Sequence, residues 1–150
     1  MRAGIALGSN LGDRFALLKC AVKQLRLIHE QGDFLTSSFL EAEPIDCPLG
    51  SPSFLNAVVE LETSLNPLIL LKYLQKLEIE SGRPANHDYH APRSLDLDLL
   101  YCDTMIMDHP ELVLPHPRMT ERYFVLYPLA EIRPNLRLPS WPKSCKEYLL

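Results

Sequence analysis

Apolar and polar residues alternate with a period of two in three stretches, and each predicts a strand with two distinct faces. Residues 2–7 put Ala3, Ile5 and Leu7 on one face. Residues 54–63 put Leu55, Ala57, Val59 and Leu61 on one face and Phe54, Asn56, Val58, Glu60 and Glu62 on the other. Residues 95–101 set Leu95, Leu97 and Leu99 against Asp96 and Asp98. Residues 35–42 predict a further strand between the first two. Two other stretches repeat every three or four residues, the spacing of an amphipathic helix. Phe15, Leu18, Ala21/Val22, Leu25 and Ile28 mark one, with Asp13 as its N-cap and an end near Gly32. Leu70, Leu71, Leu74 and Leu77 mark the other, opened by Asn66-Pro67 and closed by Gly82. Residues 44–52 predict a rigid loop, 83–93 an exposed loop and 105–114 a small hairpin. Pro115-His116-Pro117 turns the chain, and 122–131 predicts a short helix whose first part Pro128 limits.

Taken in order, strand–helix–strand–strand–helix–strand predicts an α+β fold. The expected form is a ferredoxin-like βαββαβ sandwich with a Pro-rich C-terminal extension and a short extra helix. No linker or repeat divides it, so residues 1–150 are expected to form a single domain. Both helices should cover one sheet face, taking Leu55, Ala57, Val59, Leu95, Leu97 and Leu99. The other, helix-free face then gathers Phe54, Asn56, Asp96 and Asp98. An aromatic ring, an amide and two carboxylates are costly inside a core, so a ligand site is the better expectation for that face.

Composition narrows the partners. The net charge of -4 gives no basic field for nucleic acid. No stretch is long enough to span a membrane, and the first residues are too short and Gly-rich for a secretory signal. Cys20, Cys47, Cys102 and Cys145 are scattered without a Cys-x-x-Cys pair, as expected of free buried thiols in a reducing, cytoplasmic setting. A monomer is compatible with the sequence, which leaves the oligomeric state open.

Asp96 and Asp98 carry the first chemical signal. Two residues apart on a strand, they share a face at about 6.6 Å between Cα atoms. A solvated strand face gives the same pattern. A divalent cation would turn two like charges into a site, and the spacing suits Mg²⁺, which takes one or two carboxylates and fills its octahedron with water and phosphate oxygens. His87, His90, His109 and His116 lack an accompanying thiolate pair, so a zinc site is disfavoured. Arginines are the second signal. Arg83 and Arg93 bracket the loop before the aspartates, and Arg118 and Arg122 follow them. Guanidinium groups fork onto phosphate oxygens, although an exposed arginine such as Arg118 needs no such role. Arginine beside metal-binding carboxylate is the equipment of phosphoryl transfer. No P-loop or dinucleotide fingerprint occurs. Gly8-Ser9-Asn10 reads as a turn able to offer amides to an anion. Glu78 reads equally as a salt-bridge partner or a site residue, and His116 as a rigid turn residue.

Gly8-Ser9-Asn10-Leu11-Gly12-Asp13, Phe54-Leu55-Asn56-Ala57-Val58-Val59, Glu78 with Gly82-Arg83, Pro92-Arg93-Ser94-Leu95-Asp96-Leu97-Asp98 and Leu114-Pro115-His116-Pro117-Arg118-Met119 occur in that order, followed by the Arg122–Glu131 run. Together they resemble the 6-hydroxymethyl-7,8-dihydropterin pyrophosphokinases of folate biosynthesis, from residue 4 to about 135. The resemblance implies transfer of pyrophosphate from ATP to the hydroxymethyl group of a reduced pterin, giving AMP, on a ferredoxin-like fold with two Mg²⁺ ions. It implies that Asp96 and Asp98 hold both ions. Arg83, Arg93, His116 and Arg122 would contact phosphates, with Gln75 and Glu78 also at the ATP site. Arg83 and Arg93 would take part in catalysis with the two aspartates. Asn56 would hydrogen-bond the pterin ring, Phe124 would stack on it, and Phe54 would form a neighbouring wall. The 82–92 stretch departs from the family pattern, with Ala85, Asn86 and His90 at places that commonly hold arginine, another basic residue and tryptophan, and Ala91 in place of glycine. His87 and His90 are candidates to take over phosphate contacts there. Two other classes share part of the pattern: a ferredoxin-like nucleotide- or RNA-binding module without catalysis, and a metal-dependent phosphohydrolase.

Overall fold

The structure is a computed structural model, and it describes residues 1–10, 12–42, 53–81 and 95–150. Arg83, His87, His90 and Arg93, with the expected loops at 44–52 and 83–93, lie outside the described residues.

Strand β1 (Arg2–Ser9) leads to helix α1 (Arg14–Ile28), then to short strands β2 (Leu35–Thr36) and β3 (Leu40–Ala42). Strand β4 (Phe54–Glu62), helix α2 (Pro67–Glu80) and strand β5 (Asp96–Cys102) follow. The hairpin of β6 (Met107–His109) and β7 (Leu112–Leu114) precedes α3 (Tyr123–Ile132). The main sheet has the order β2-β4-β1-β5, with β3 also on β4, and every pairing in it is antiparallel. Both expected caps form: Asp13 Oδ1 accepts from the Ala16 amide at 3.0 Å, and Asn66 Oδ1 from the Ile69 amide at 3.0 Å, with Pro67 in the first turn. These bonds satisfy amides that a helix start otherwise leaves orphaned.

The alternation sorts the sheet faces as expected. Ala3, Ile5, Leu7, Ala57, Val59, Leu61, Leu95, Leu97 and Leu99 bury against Leu18, Ala21 and Leu25 of α1 and Leu70, Leu74 and Leu77 of α2. The opposite face corrects the expectation of a helix-free side. Helix α3 packs on it, placing Val125, Leu126 and Leu129 with Ala6, Val58, Leu100 and Met119, and Leu138 and Cys145 complete this second core. Pro128 does not limit α3, which runs continuously through it. Three boundaries also move: α1 stops at Ile28 rather than near Gly32, β1 continues through Gly8 and Ser9 instead of turning there, and the 35–42 strand divides in two. Cys102 and Cys145 are buried free thiols as expected, whereas Cys20 is exposed.

A bulge in β5 explains part of the second core. Leu99 faces Ile5 and Tyr101 faces Gly4, which leaves Leu100 as an extra residue. The added residue breaks the period of two and sends both Leu100 and Tyr101 to the α3 face. The Tyr101 ring then lies across Gly4, where a Cβ would fall inside it. Gly4→Ala should therefore cost about 1–3 kcal/mol through overpacking, read as a lower urea midpoint. An unchanged midpoint would contradict this packing.

Candidate active site

Strand register builds the site floor. Gly8 of β1 faces Asn56 of β4 on one side and Asp96 of β5 on the other. One step along, Ala6 faces Val58 and Asp98. Asn56 and Asp96 thus stand two strand spacings apart, about 10 Å, with only a glycine between them. The missing side chain matters, because a Cβ at Gly8 would lie 3.1 Å from Asn56 Oδ1 and 3.6 Å from Phe54 Cδ1. The Asn56 amide and the Phe54 ring lie over Gly8 in the room its missing side chain leaves, with Asp96 opposite on β5. Asn56 is only 6% exposed, and its Nδ2 has no hydrogen-bond partner among the described residues. A buried amide left without a partner costs about 1–3 kcal/mol.

Helix α3 walls the same face. Its buried Val125 and Leu126 fix its first turn on the sheet, which sets half-buried Phe124 and Arg122 at its start. Arg122 Nη1 is 3.9 Å from Asp98 Oδ2, and its guanidinium carbon is 6.0 Å from the Phe124 ring centroid. His116 joins the group from the segment after β7. Its amide donates to the Leu100 carbonyl at 2.8 Å, tying it to the bulge of β5. Its Nδ1 accepts from the Arg118 amide at 3.2 Å, so the neutral ring carries its proton on Nε2. Burial, with help from Arg122 and Arg118 and against the pull of Asp96, lowers its pKa to about 4. At neutral pH His116 is an uncharged N–H donor set among cationic side chains.

That shift carries a stability prediction. The unfolded imidazole binds its proton below about pH 6.5, whereas the folded one waits until about pH 4. The unfolded state therefore holds more protons between these values, and folding stability falls as pH drops from about 6.5 to about 4. Denaturation midpoints of the metal-free protein at pH 4.5 and pH 7 should differ less in His116→Gln than in the unmodified chain, given about two pH units of titration window. An equal difference in both would contradict the burial of a neutral imidazole.

The described residues thus bring together Phe54, Asn56, Asp96, Asp98, His116, Arg122 and Phe124. Glu78 is close but faces differently: its Oε2 accepts from the Leu97 amide at 2.8 Å, between the two aspartates along the edge of β5 that is turned away from β1. Gln75 is exposed on α2. The expectations for Arg83 and Arg93 lie outside the described residues. Gly8 was expected only as part of a turn offering amides to an anion, not as a gap between Asn56 and Asp96 within the sheet. Its signal was the column of small residues Gly4, Ala6 and Gly8 on the second face of β1.

The donor set also discriminates between metals. Among the described residues no three His, Cys, Asp or Glu side chains gather as a metal-binding group. The two carboxylates fit a hard cation that keeps water and takes phosphate oxygens, as Mg²⁺ does. No helix among the described residues is long and apolar enough to cross a membrane.

Comparison with known proteins gives the family. The chain is 40% identical over 138 residues to the 2-amino-4-hydroxy-6-hydroxymethyldihydropteridine pyrophosphokinase of Pseudomonas aeruginosa, covering 92% of this chain and 84% of that protein. Against the enzyme of the same name from Bacillus subtilis it is 44% identical over 133 residues, covering 87% and 77%. A crystal structure of an HPPK-DHPS chain in complex with substrates superposes with a TM-score of 0.74 at 12% identity. It covers 98% of this chain but 42% of that longer one, so this chain spans about two-fifths of it, and the likeness is one of fold. Residues 4–134 match the family model of 7,8-dihydro-6-hydroxymethylpterin-pyrophosphokinase. The chain belongs to the 7,8-dihydro-6-hydroxymethylpterin-pyrophosphokinase (HPPK) family.

Proposed function

We infer that the chain transfers the pyrophosphoryl group of ATP to the hydroxymethyl group of 6-hydroxymethyl-7,8-dihydropterin, a step of folate biosynthesis. One observation carries the reading: in a member of this family, Asn56, Gly8 and Asp96 stand in one row across three strands. The row offers an amide for a ring at one end and an anionic anchor for a phosphate-bound cation at the other. The hydroxymethyl oxygen attacks the β-phosphorus of ATP. The new O–P bond forms as the bond from that phosphorus to the α–β bridging oxygen breaks, AMP leaves, and the hydroxyl proton passes to solvent.

The chain's own side chains bind and orient. Asn56 meets the amide-like edge of the pterin, which presents both donors and acceptors. Phe124 and Phe54 flank its faces, where aromatic contact adds to area burial. His116 donates Nε2–H to a phosphate oxygen. Arg122, the cation beside Asp98, gains a second anion when phosphate enters. Arg83 and Arg93 contribute phosphate contacts and catalytic charge, and Gln75 and Glu78 serve the nucleotide side through α2. His87 and His90 are candidates for further phosphate contacts. Asp96 and Asp98 would hold two Mg²⁺ ions, whose chemistry is to neutralise the attacking and leaving oxygens. The β2-β4-β1-β5 order supports reading the core as a ferredoxin-like sandwich. Two cores sharing one sheet support a single domain over residues 1–150, here read as a cytoplasmic, monomeric enzyme.

Product analysis tests the reading. With ATP, Mg²⁺ and the pterin, AMP should form one-for-one with a pterin carrying two phosphorus atoms, and none should form without the pterin. Phosphate release independent of the pterin would favour a phosphohydrolase. Tight nucleotide binding with no turnover would favour a binding module.

A further inference from the structure

At the end of the sheet away from the aspartates, a second polar cluster lies within the core. Gly4 faces both Glu60 and Tyr101, so these three stand in one row, as Asn56, Gly8 and Asp96 do. Glu60 is fully buried. Its Oε2 accepts from the Tyr101 hydroxyl, and its Oε1 from Arg2 Nε at 3.0 Å. Arg133 Nη1 donates to Oε1 at 2.8 Å and to Oε2 at 3.0 Å. Arg133 is the C-cap residue of α3. A second tie holds the same end of the helix: the Ser38 amide donates to Glu131 at 3.1 and 3.0 Å, and the Ser38 hydroxyl at 2.7 Å.

Stability alone is a poor account of the Glu60 cluster. Buried ion pairs are weak stabilisers, and apolar replacements often do as well. What such a pair supplies is direction. The apolar contacts of Val125, Leu126 and Leu129 hold α3 on the sheet but resist sliding or rotation less than hydrogen-bonded charges do. Arg133 and Phe124 lie at opposite ends of the helix, about 13 Å apart at 1.5 Å per residue.

We propose that Glu60 and Arg133 form a positioning pair that fixes the register of α3, and through it the place of Phe124 over the pterin site. The functional half rests on the pyrophosphokinase reading; the anchoring half does not. Neither residue touches substrate. Arg133 is partly exposed, and Glu60 keeps Arg2 and Tyr101 in its absence, so Arg133→Met should fold. Arg133→Gln serves if it does not.

Two measurements on the full chain test the pair. Amide exchange over residues 122–127 should rise about tenfold in Arg133→Met, without ligands present. The KM for the pterin should rise about fivefold, but less than about twofold when the same change is made in Phe124→Ala, because a residue acting through Phe124 has nothing left to position. A merely structural role would multiply KM equally in both backgrounds. Equal multiplication, or unchanged exchange over 122–127, would overturn the proposal. If the unmodified chain forms no AMP, the pyrophosphokinase reading fails, and the exchange measurement alone decides the anchor.

Discussion

Asp98→Asn should lower the rate of AMP formation by at least about 10³-fold at saturating ATP and pterin. A cation between phosphate oxygens supplies several kcal/mol of charge stabilisation, and each 1.36 kcal/mol is a factor of ten. The fold should survive. Asparagine keeps the shape, Asp98 is half-buried and beside solvent, and the change removes a like charge next to Asp96 on the same strand face. The change also gives up the partly exposed Arg122 ion pair, so the thermal midpoint should shift little, and circular dichroism should match the unmodified chain. Asp96→Asn should behave alike. A variant of either residue that keeps its rate within about tenfold would remove the carboxylate pair from the mechanism.

Asn56→Leu should separate stability from activity. Leucine has the branched outline of asparagine and no polar atoms to bury, but it is larger. The unmodified protein buries an amide nitrogen that has no partner among the described residues, at a cost of about 1–3 kcal/mol. The variant should stay within about 1 kcal/mol of the unmodified protein in urea titration, because losing a buried amide offsets the overpacking that the larger side chain brings. Its kcat/KM for the pterin should fall by about 10²–10³-fold, because the ring's donors and acceptors then enter a site that cannot pair them. The KM for ATP should move little. Lower stability together with normal pterin kinetics would mean that Asn56 is a core residue and not a recognition group.

Much of the fold was legible because its signals are local. Leu95, Leu97 and Leu99 reach the helix-covered core as their alternation requires, and the caps Asp13 and Asn66 accept the bonds their positions promise. The convergence of Asn56 with Asp96 followed from the same period of two. What escaped depends on partners distant in sequence. The bulge at Leu100 left no mark, since an extra apolar residue in an apolar strand end changes no pattern. The second face was expected to be bare because residues 122–131 predict only a short extra helix after the sandwich, and only tertiary packing puts Val125 and Leu129 over Ala6 and Val58. Glu60 read as one more polar residue on a strand. Its partner Arg133 is 73 residues away, and no spacing rule links them.

Pro128 shows a local rule losing to tertiary context. It removes one helical amide and should weaken the helix it interrupts. The helix persists because Leu126, Pro128 and Leu129 are all buried, and that packing outweighs one lost hydrogen bond.

The central claim is that Asp96 and Asp98 anchor phosphates beside a pterin held by Asn56 and Phe124. The most direct measurement is a crystal structure with Mn²⁺ in place of Mg²⁺, a non-hydrolysable ATP analogue and the hydroxymethyl-dihydropterin. Anomalous density should lie within about 2.3 Å of carboxylate oxygens of both aspartates, with the pterin beside Asn56 and its ring against Phe124. Metal bound only to the nucleotide phosphates, or a pterin lying away from the Asn56–Gly8–Asp96 row, would contradict the account.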